Sequence, residues 1–96
     1  AASLNHGADY GVAQAQHGSA PDIAGKNIAN PASLIGSAAM LLAWLGERRG
    51  AEKLAQAART IEAALDRVIA EPDGRTPDMG GTLGTDGFGE KVAAAL

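Results

Sequence analysis

The fold is decided by residues 30–50, which read NPASLIGSAAMLLAWLGERRG. Asn30-Pro31 is a good helix start, because Asn caps free backbone amides and a proline at the first helical position has no amide to leave unpaired. Residues 34–45 are apolar nearly all round a helix, which indicates burial on most sides rather than along one stripe. Two arginines and Gly50 suit the end of a helix. We therefore predict a helix from Pro31 to about Arg48.

A second helix is predicted over Glu52–Ala70. Leu54, Ile61 and Val68 fall on one stripe of this segment, and the charged residues lie mostly off the stripe. This is the pattern of an ordinary amphipathic helix. Residues 72–74, Pro-Asp-Gly, end it as a turn.

The remaining segments have weaker signals. Residues 76–84 have loop character, and Thr85 is placed to cap a last helix that runs to about Ala95. Upstream, residues 11–16 form a short strand with weak alternation, and the glycines and proline of residues 17–30 indicate an ordered loop. The chain is thus predicted to be mostly α, with about three helices and one or more short strands.

The composition limits how much core the chain builds by itself. Its 96 residues make one domain at most. Of its hydrophobic residues 22 are Ala, whereas Leu, Ile, Val and Phe together number 18. A net charge of only −3 argues against disorder. We therefore expect a folded piece that completes its core against more of its own polypeptide or against another copy.

Several classes of protein are disfavoured by simple counts. The chain has no cysteine, so it has no disulfide or thiolate metal site. The longest hydrophobic stretch, residues 34–45, is too short to span a bilayer, and no secretory signal precedes it. Eight basic residues against eleven acidic ones, with three aromatic residues, give no footprint for nucleic acid. We expect a soluble, cytoplasmic protein that binds neither nucleic acid nor membrane.

The most informative segment for function is residues 17–31, HGSAPDIAGKNIANP. Its small residues allow a ligand close to the main chain, free amides near a helix start suit a diphosphate, and the Asp22 carboxylate is an acceptor for ribose hydroxyls. Six residues separate Gly18 from Gly25-Lys26, so this is not a Walker A loop, and no Gly-x-Gly-x-x-Gly motif is present. Taken alone, His17 and Asp22 are more often ordinary loop and turn residues.

This segment resembles the adenine-nucleotide loop of the isopropylmalate/isocitrate/tartrate dehydrogenase family at every position except Asn27, where that family usually has Gly. The resemblance continues through residues 37–42, 75–81 and 84–89. A second departure is Ala-Gln-Ala-Gln at residues 13–16, where the family has Phe-Glu-Pro-Val. The resemblance implies an α/β parent fold like that of isopropylmalate dehydrogenase, with this chain as a C-terminal segment of the large domain, residues 1–96, carrying the nucleotide loop at 17–31.

The resemblance also implies a set of residues that bind NAD. His17 would lie beside the adenine, Asp22 would bind the adenosine ribose, and Asn30 would bond the adenine edge. The full implied set is His17, Gly18, Ser19, Ala20, Asp22, Ile23 and Asn30. A carboxylate at Asp22 would repel a 2′-phosphate, so NAD is favoured over NADP.

The implied activity is that of an NAD-dependent, Mg- or Mn-dependent oxidoreductase that oxidises and decarboxylates a 2-hydroxy acid, as a homodimer or together with the remainder of a longer chain. The family's catalytic residues and metal ligands lie earlier than this sequence begins, so we expect no catalytic or metal residue here and no activity from the 96-residue chain alone. A metal pair of His6 and Asp9 is much less favoured than a solvated loop. Two alternatives are a non-catalytic module that binds an adenine nucleotide and a structural fragment that self-associates.

Overall fold

The computed structural model describes residues 2–15 and 20–96. Most of the described residues are helical, as the sequence predicts, and two short strands precede the helices. In chain order the elements are β1 (Ala2–His6), β2 (Gly11–Ala15), α1 (Ala32–Arg49), α2 (Glu52–Ala70) and α3 (Thr85–Ala95).

The two strands form an antiparallel hairpin. Ala2 faces Ala15 and His6 faces Gly11, and the Gly7 amide closes the turn on the Tyr10 carbonyl at 2.8 Å. The predicted strand over residues 11–16 is confirmed as far as Ala15. β1 was not predicted, because its five residues include one large apolar side chain and only pairing with β2 makes them a strand.

Helix α1 contacts both the hairpin and α2, which explains why it is apolar around most of its surface. Ser37 is fully buried and bonds the hairpin, and a Cβ on Gly46 would lie 2.8 Å from the Ala55 amide nitrogen of α2. Leu34 remains 54% exposed, so the predicted burial on most sides is incomplete. Gly50 ends the helix in the left-handed conformation, with φ of 62°. Within the described part of the chain, no helix has the length and apolar character needed to cross a membrane.

Helix α2 has the predicted bounds and forms the main core with α3. Ala64 and Val68 of α2 pack with Phe88 and Val92 of α3, and all four are buried. Phe88 is completely enclosed. Burying apolar side chains provides most of the favourable free energy of folding, and here the enclosed Phe88 fixes α3 against α2.

The connection between α2 and α3 is a compact loop with two short 3-10 turns. The Arg75 Nε donates to the Ile69 carbonyl at 3.0 Å, and the Leu83 amide donates to the Arg75 carbonyl at 3.0 Å. The prediction that Thr85 caps α3 is wrong. Its hydroxyl donates instead to the Ala29 carbonyl at 2.5 Å, because the loop before α1 lies against this helix end.

Candidate functional site

The candidate site is the loop that joins the hairpin to α1. Within the described residues, the loop runs from Ala20, whose backbone is left-handed (φ 44°, ψ 60°), into a short 3-10 turn over Pro21–Ile23. The Ile23 amide donates to the Ala20 carbonyl at 3.1 Å, and the Lys26 amide donates to the Ile23 carbonyl at 3.1 Å. These bonds close successive turns of the main chain and give the loop a folded backbone without regular secondary structure.

Asp22 lies in the first turn of the 3-10 segment and is exposed. Among the residues that the structure describes, none forms a hydrogen bond or an ion pair with its carboxylate. Ile23 follows it and is half-buried, whereas Ala20 is exposed. The carboxylate therefore retains its acceptor capacity for a ligand. The predicted site residues His17, Gly18 and Ser19 lie outside the described residues.

Asn30, which is predicted to bind the adenine edge, also forms two hydrogen bonds within the protein. Its Oδ1 accepts from the Ala32 amide at 2.8 Å, so Asn30 pairs a backbone amide at the start of α1. The helix begins at Ala32, one residue after the predicted start, and Pro31 is the capping residue instead of Asn30. The Asn30 Nδ2 donates to Asp78 Oδ2 at 3.0 Å. An amide nitrogen carries two hydrogens, so one N–H of Asn30 has no acceptor among the described residues and is available to a ligand.

Hydrogen bonds attach the loop to the first two residues of α3, Thr85 and Asp86. Asn27 Nδ2 donates to Asp86 Oδ1 at 2.7 Å, and the Asp86 amide donates back to Asn27 Oδ1 at 3.0 Å. The Thr85 amide donates to the Asn27 carbonyl at 3.0 Å. Sequence reasoning treated Asn27 only as a departure from the family pattern. The sequence did contain a signal for a left-handed backbone at this position, because asparagine stands where the family has glycine and both residue types accept the positive φ of 57° found there.

Two carboxylates beside the loop are stabilised in their charged form. Burial alone would raise the pKa of Asp78, but hydrogen bonds from the Thr76 hydroxyl and the Asn30 amide outweigh it and lower the pKa. The pKa of Asp86 is lowered mainly by the hydrogen bond from Asn27 and then by the Gly87 amide. Both groups are therefore anionic acceptors near neutral pH.

Among the described residues outside this loop, two features bear on a cofactor site. Over residues 2–15 and 20–96, no three or more His, Asp or Glu side chains come together as metal ligands. A shallow hollow of about 450 Å³ lies along the outer face of α2, and none of the predicted site residues lines it. Because its walls come from one helix, it lacks the convergent polar groups of a small-molecule site. The loop before α1 remains the best candidate.

Comparison with known proteins decides the family. The family model described as isocitrate/isopropylmalate dehydrogenase matches residues 1–92. The chain belongs to this dehydrogenase family. The match includes the nucleotide-like loop, α1, α2 and most of α3, so the resemblance seen in the sequence is confirmed over nearly the whole chain.

Curated relatives in this family are similar to the chain over most or all of its length. It is 49% identical over 96 residues to the isocitrate/homoisocitrate dehydrogenase of Thermus thermophilus, covering 100% of this chain and 26% of the relative. It is 51% identical over 81 residues to the tartrate dehydrogenase/decarboxylase of Pseudomonas putida, covering 83% and 21%. It is 43% identical over 95 residues to the mitochondrial NAD isocitrate dehydrogenase catalytic subunit 6 of Arabidopsis thaliana, covering 98% and 24%. The chain spans about a quarter of the length of these relatives.

Proposed function

We propose that this chain binds the adenosine half of NAD in an oxidoreductase that oxidises and decarboxylates a 2-hydroxy acid. Membership of the family supports the dehydrogenase class. One relative is named for NAD and another is named a dehydrogenase/decarboxylase, which favours this cofactor and this pair of reactions. The observation that carries the proposal is the Asp22 carboxylate in the folded loop ahead of α1. This carboxylate is exposed and forms no hydrogen bond or ion pair with a described residue.

Asp22 accounts for both binding and selectivity in this proposal. A carboxylate accepts hydrogen bonds from both hydroxyls of the adenosine ribose, as acidic residues do in other dinucleotide sites. The same negative charge opposes the 2′-phosphate of NADP, because two anions in contact repel each other. NAD is therefore the expected cofactor, and its nicotinamide supplies the hydride acceptor when NAD is bound.

The neighbouring residues complete the adenosine site. The second N–H of Asn30, which has no acceptor among the described residues, would donate to the adenine edge, and the half-buried Ile23 would pack against the sugar and base. Ala20 has a small side chain that lets a phosphate approach the main chain. His17, Gly18 and Ser19 are proposed to line the path of the adenine, ribose and phosphates.

The proposal assigns nucleotide binding, and no chemical step, to these residues. The described residues do not fit Mg²⁺ or Mn²⁺, since they form no set of three ligands. We propose that metal ligands, proton-transfer groups and substrate contacts come from the rest of a longer family protein, in which this chain is a C-terminal segment of the large domain. Association with that remainder, or with a second copy, would cover apolar side chains such as Val12 and Leu34, which are 60% and 54% exposed.

The proposal is tested by titrating the protein with NAD and NADP in a calorimeter. The Asp22→Asn variant should bind NAD about tenfold more weakly, because a neutral amide is a poorer acceptor for ribose hydroxyls. The Asp22→Lys variant should shift the preference toward NADP by about tenfold or more. Asp66→Asn, which neutralises an exposed carboxylate on α2, is the matched control.

Each result bears on a different part of the proposal. Absence of NAD binding to the wild-type protein would overturn the proposed function. Equal NAD affinity for Asp22→Asn and Asp66→Asn would remove Asp22 from the site. Unchanged NADP affinity in Asp22→Lys would overturn the argument from charge.

A further inference from the structure

The described part of the nucleotide loop contributes little to fixing its own position. Residues 20–27 are exposed except for Ile23. The backbone hydrogen bonds among these residues, such as Lys26 to Ile23, span three residues and fold the loop locally. Local turns determine the shape of the loop, but contacts with other elements must determine where it lies.

Those contacts converge on the first residues of α3. Asn27 and Asp86 form the reciprocal pair described above, with distances of 2.7 and 3.0 Å. Thr85 adds two bonds, from its amide to the Asn27 carbonyl and from its hydroxyl to the Ala29 carbonyl. Four hydrogen bonds therefore hold two residues of the loop, Asn27 and Ala29, against residues that are more than fifty positions later in the chain.

The local backbone is adapted to this attachment. Asn27 has a φ of 57°, a conformation that asparagine adopts more readily than most residues. Gly84 precedes Thr85, and a Cβ there would lie 2.5 Å from Asn27 Nδ2 and 3.1 Å from the Asn27 carbonyl oxygen. An alanine at residue 84 would push Asn27 away, so the absence of a side chain makes room for the contact.

We propose that Asn27 and Asp86 are positioning residues that set the affinity of the loop for the adenosine end of NAD without touching the nucleotide. The inference rests on the proposed function. Asn27 lies five residues after Asp22 and three before Asn30, between the two side chains that would contact the ribose and the adenine. Holding residue 27 reduces the conformational freedom that both contacts would otherwise lose on binding, and such preorganisation raises affinity.

The test uses a reversal of the pair in the intact protein, with NAD as the probe. Asn27→Asp sets a carboxylate against the Asp86 carboxylate and should weaken NAD binding by about three- to tenfold. The double variant Asn27→Asp with Asp86→Asn restores an amide-to-carboxylate bond in the opposite direction and should recover most of that affinity. Glu52→Gln, which removes the exposed Glu52–Arg59 pair on α2 (2.9 Å), is the control and should leave NAD binding unchanged.

Hydrogen exchange of the free protein provides a readout that needs no nucleotide. In Asn27→Asp, the amides of Ile23, Lys26 and Thr85 should exchange faster, while those around Val68 in α2 keep their rates. A uniform increase across the chain would indicate general destabilisation and would overturn the positioning role.

The outcomes separate this inference from the proposed function. If the wild type binds NAD and Asn27→Asp binds it equally well, or if the reversed pair does not recover affinity, the inference is wrong and the proposed function stands. If the wild type does not bind NAD, the proposed function fails and the effect on affinity fails with it. In that case, faster hydrogen exchange confined to the loop in Asn27→Asp would support only the attachment of the loop to α3, and not a role in NAD affinity.

Discussion

Replacing Ser37 by alanine tests the contact that joins the hairpin to α1. The Ser37 hydroxyl accepts a hydrogen bond from the Ser3 amide at 2.7 Å and donates one to the Gln14 carbonyl at 2.7 Å. Ser3 and Gln14 face each other in the register of the hairpin, and Ser37 is fully buried. The Ser37 side chain therefore bonds both strands at one paired position of the hairpin.

The magnitude follows from the groups that lose a partner. Ser37→Ala removes the acceptor of the Ser3 amide and the donor to the Gln14 carbonyl. A buried polar group left unpaired costs about 1–3 kcal/mol, and the lower end applies to each group because these contacts are partly buried. We expect the free energy of unfolding to fall by about 2 kcal/mol. For a domain of this size, that lowers Tm by roughly 8–16 °C.

Two measurements check this expectation. Urea unfolding followed by circular dichroism gives the loss of stability, and the emission of Trp44, the chain's one tryptophan, reports docking of the hairpin. A Cβ on Gly11 would lie 2.8 Å from the Trp44 ring, so the ring packs directly on β2. Movement of the hairpin away from α1 should expose the ring to water and shift its emission to the red.

The matched control is Thr60→Ala. The Thr60 hydroxyl is exposed and donates to the Gln56 carbonyl within the same helix, so its removal should change stability by no more than about 0.5 kcal/mol. If Ser37→Ala loses no more stability than Thr60→Ala and keeps the wild-type emission, the hydroxyl does not join the hairpin to α1 and the reasoning is refuted.

Glycine substitutions at two positions should have opposite effects on the urea midpoint. Gly89 lies inside α3 with no atom within 4 Å of an added Cβ, so Gly89→Ala should stabilise the protein by about 0.5–1 kcal/mol. A Cβ on Gly74 would lie 2.0 Å from the Val68 carbonyl oxygen, so Gly74→Ala should lower the midpoint strongly; the opposite order would contradict both assignments. Stability should also depend on pH, because the folded-state pKa values of Asp78 and Asp86 are lowered. A depressed folded pKa contributes stability that is present above the unfolded pKa and is lost as the pH falls through the folded one, so Tm should drop below about pH 4. The double variant Asp78→Asn with Asp86→Asn should show a shallower drop, and equal pH dependence in the two proteins would argue against these hydrogen bonds.

The candidate site was only partly open to prediction. The residue types of the segment 17–31 made Asp22 a candidate for ribose binding, and the family resemblance added Asn30 as a candidate for the adenine edge. Neither showed that Asn30 also bonds Asp78, or that Asn27 bonds Asp86 across 59 positions. No local pattern encodes a partner at that separation. The nucleotide-binding roles of the motif stay predictions that binding measurements test.

The helices follow from signals that can be read along the chain. Their signals are local: the Asn30-Pro31 start, the left-handed Gly50, and the apolar stripe of α2 act over a few residues each, so the start of α1 was predicted to within one residue and the bounds of α2 without error. Tertiary structure alone decided that residues 2–6 become a strand, that the Thr85 hydroxyl bonds a loop carbonyl instead of capping α3, and where the loop lies. The physical reason is that a weakly apolar strand and a small, polar loop gain their stabilising contacts only when distant parts of the chain pack against them.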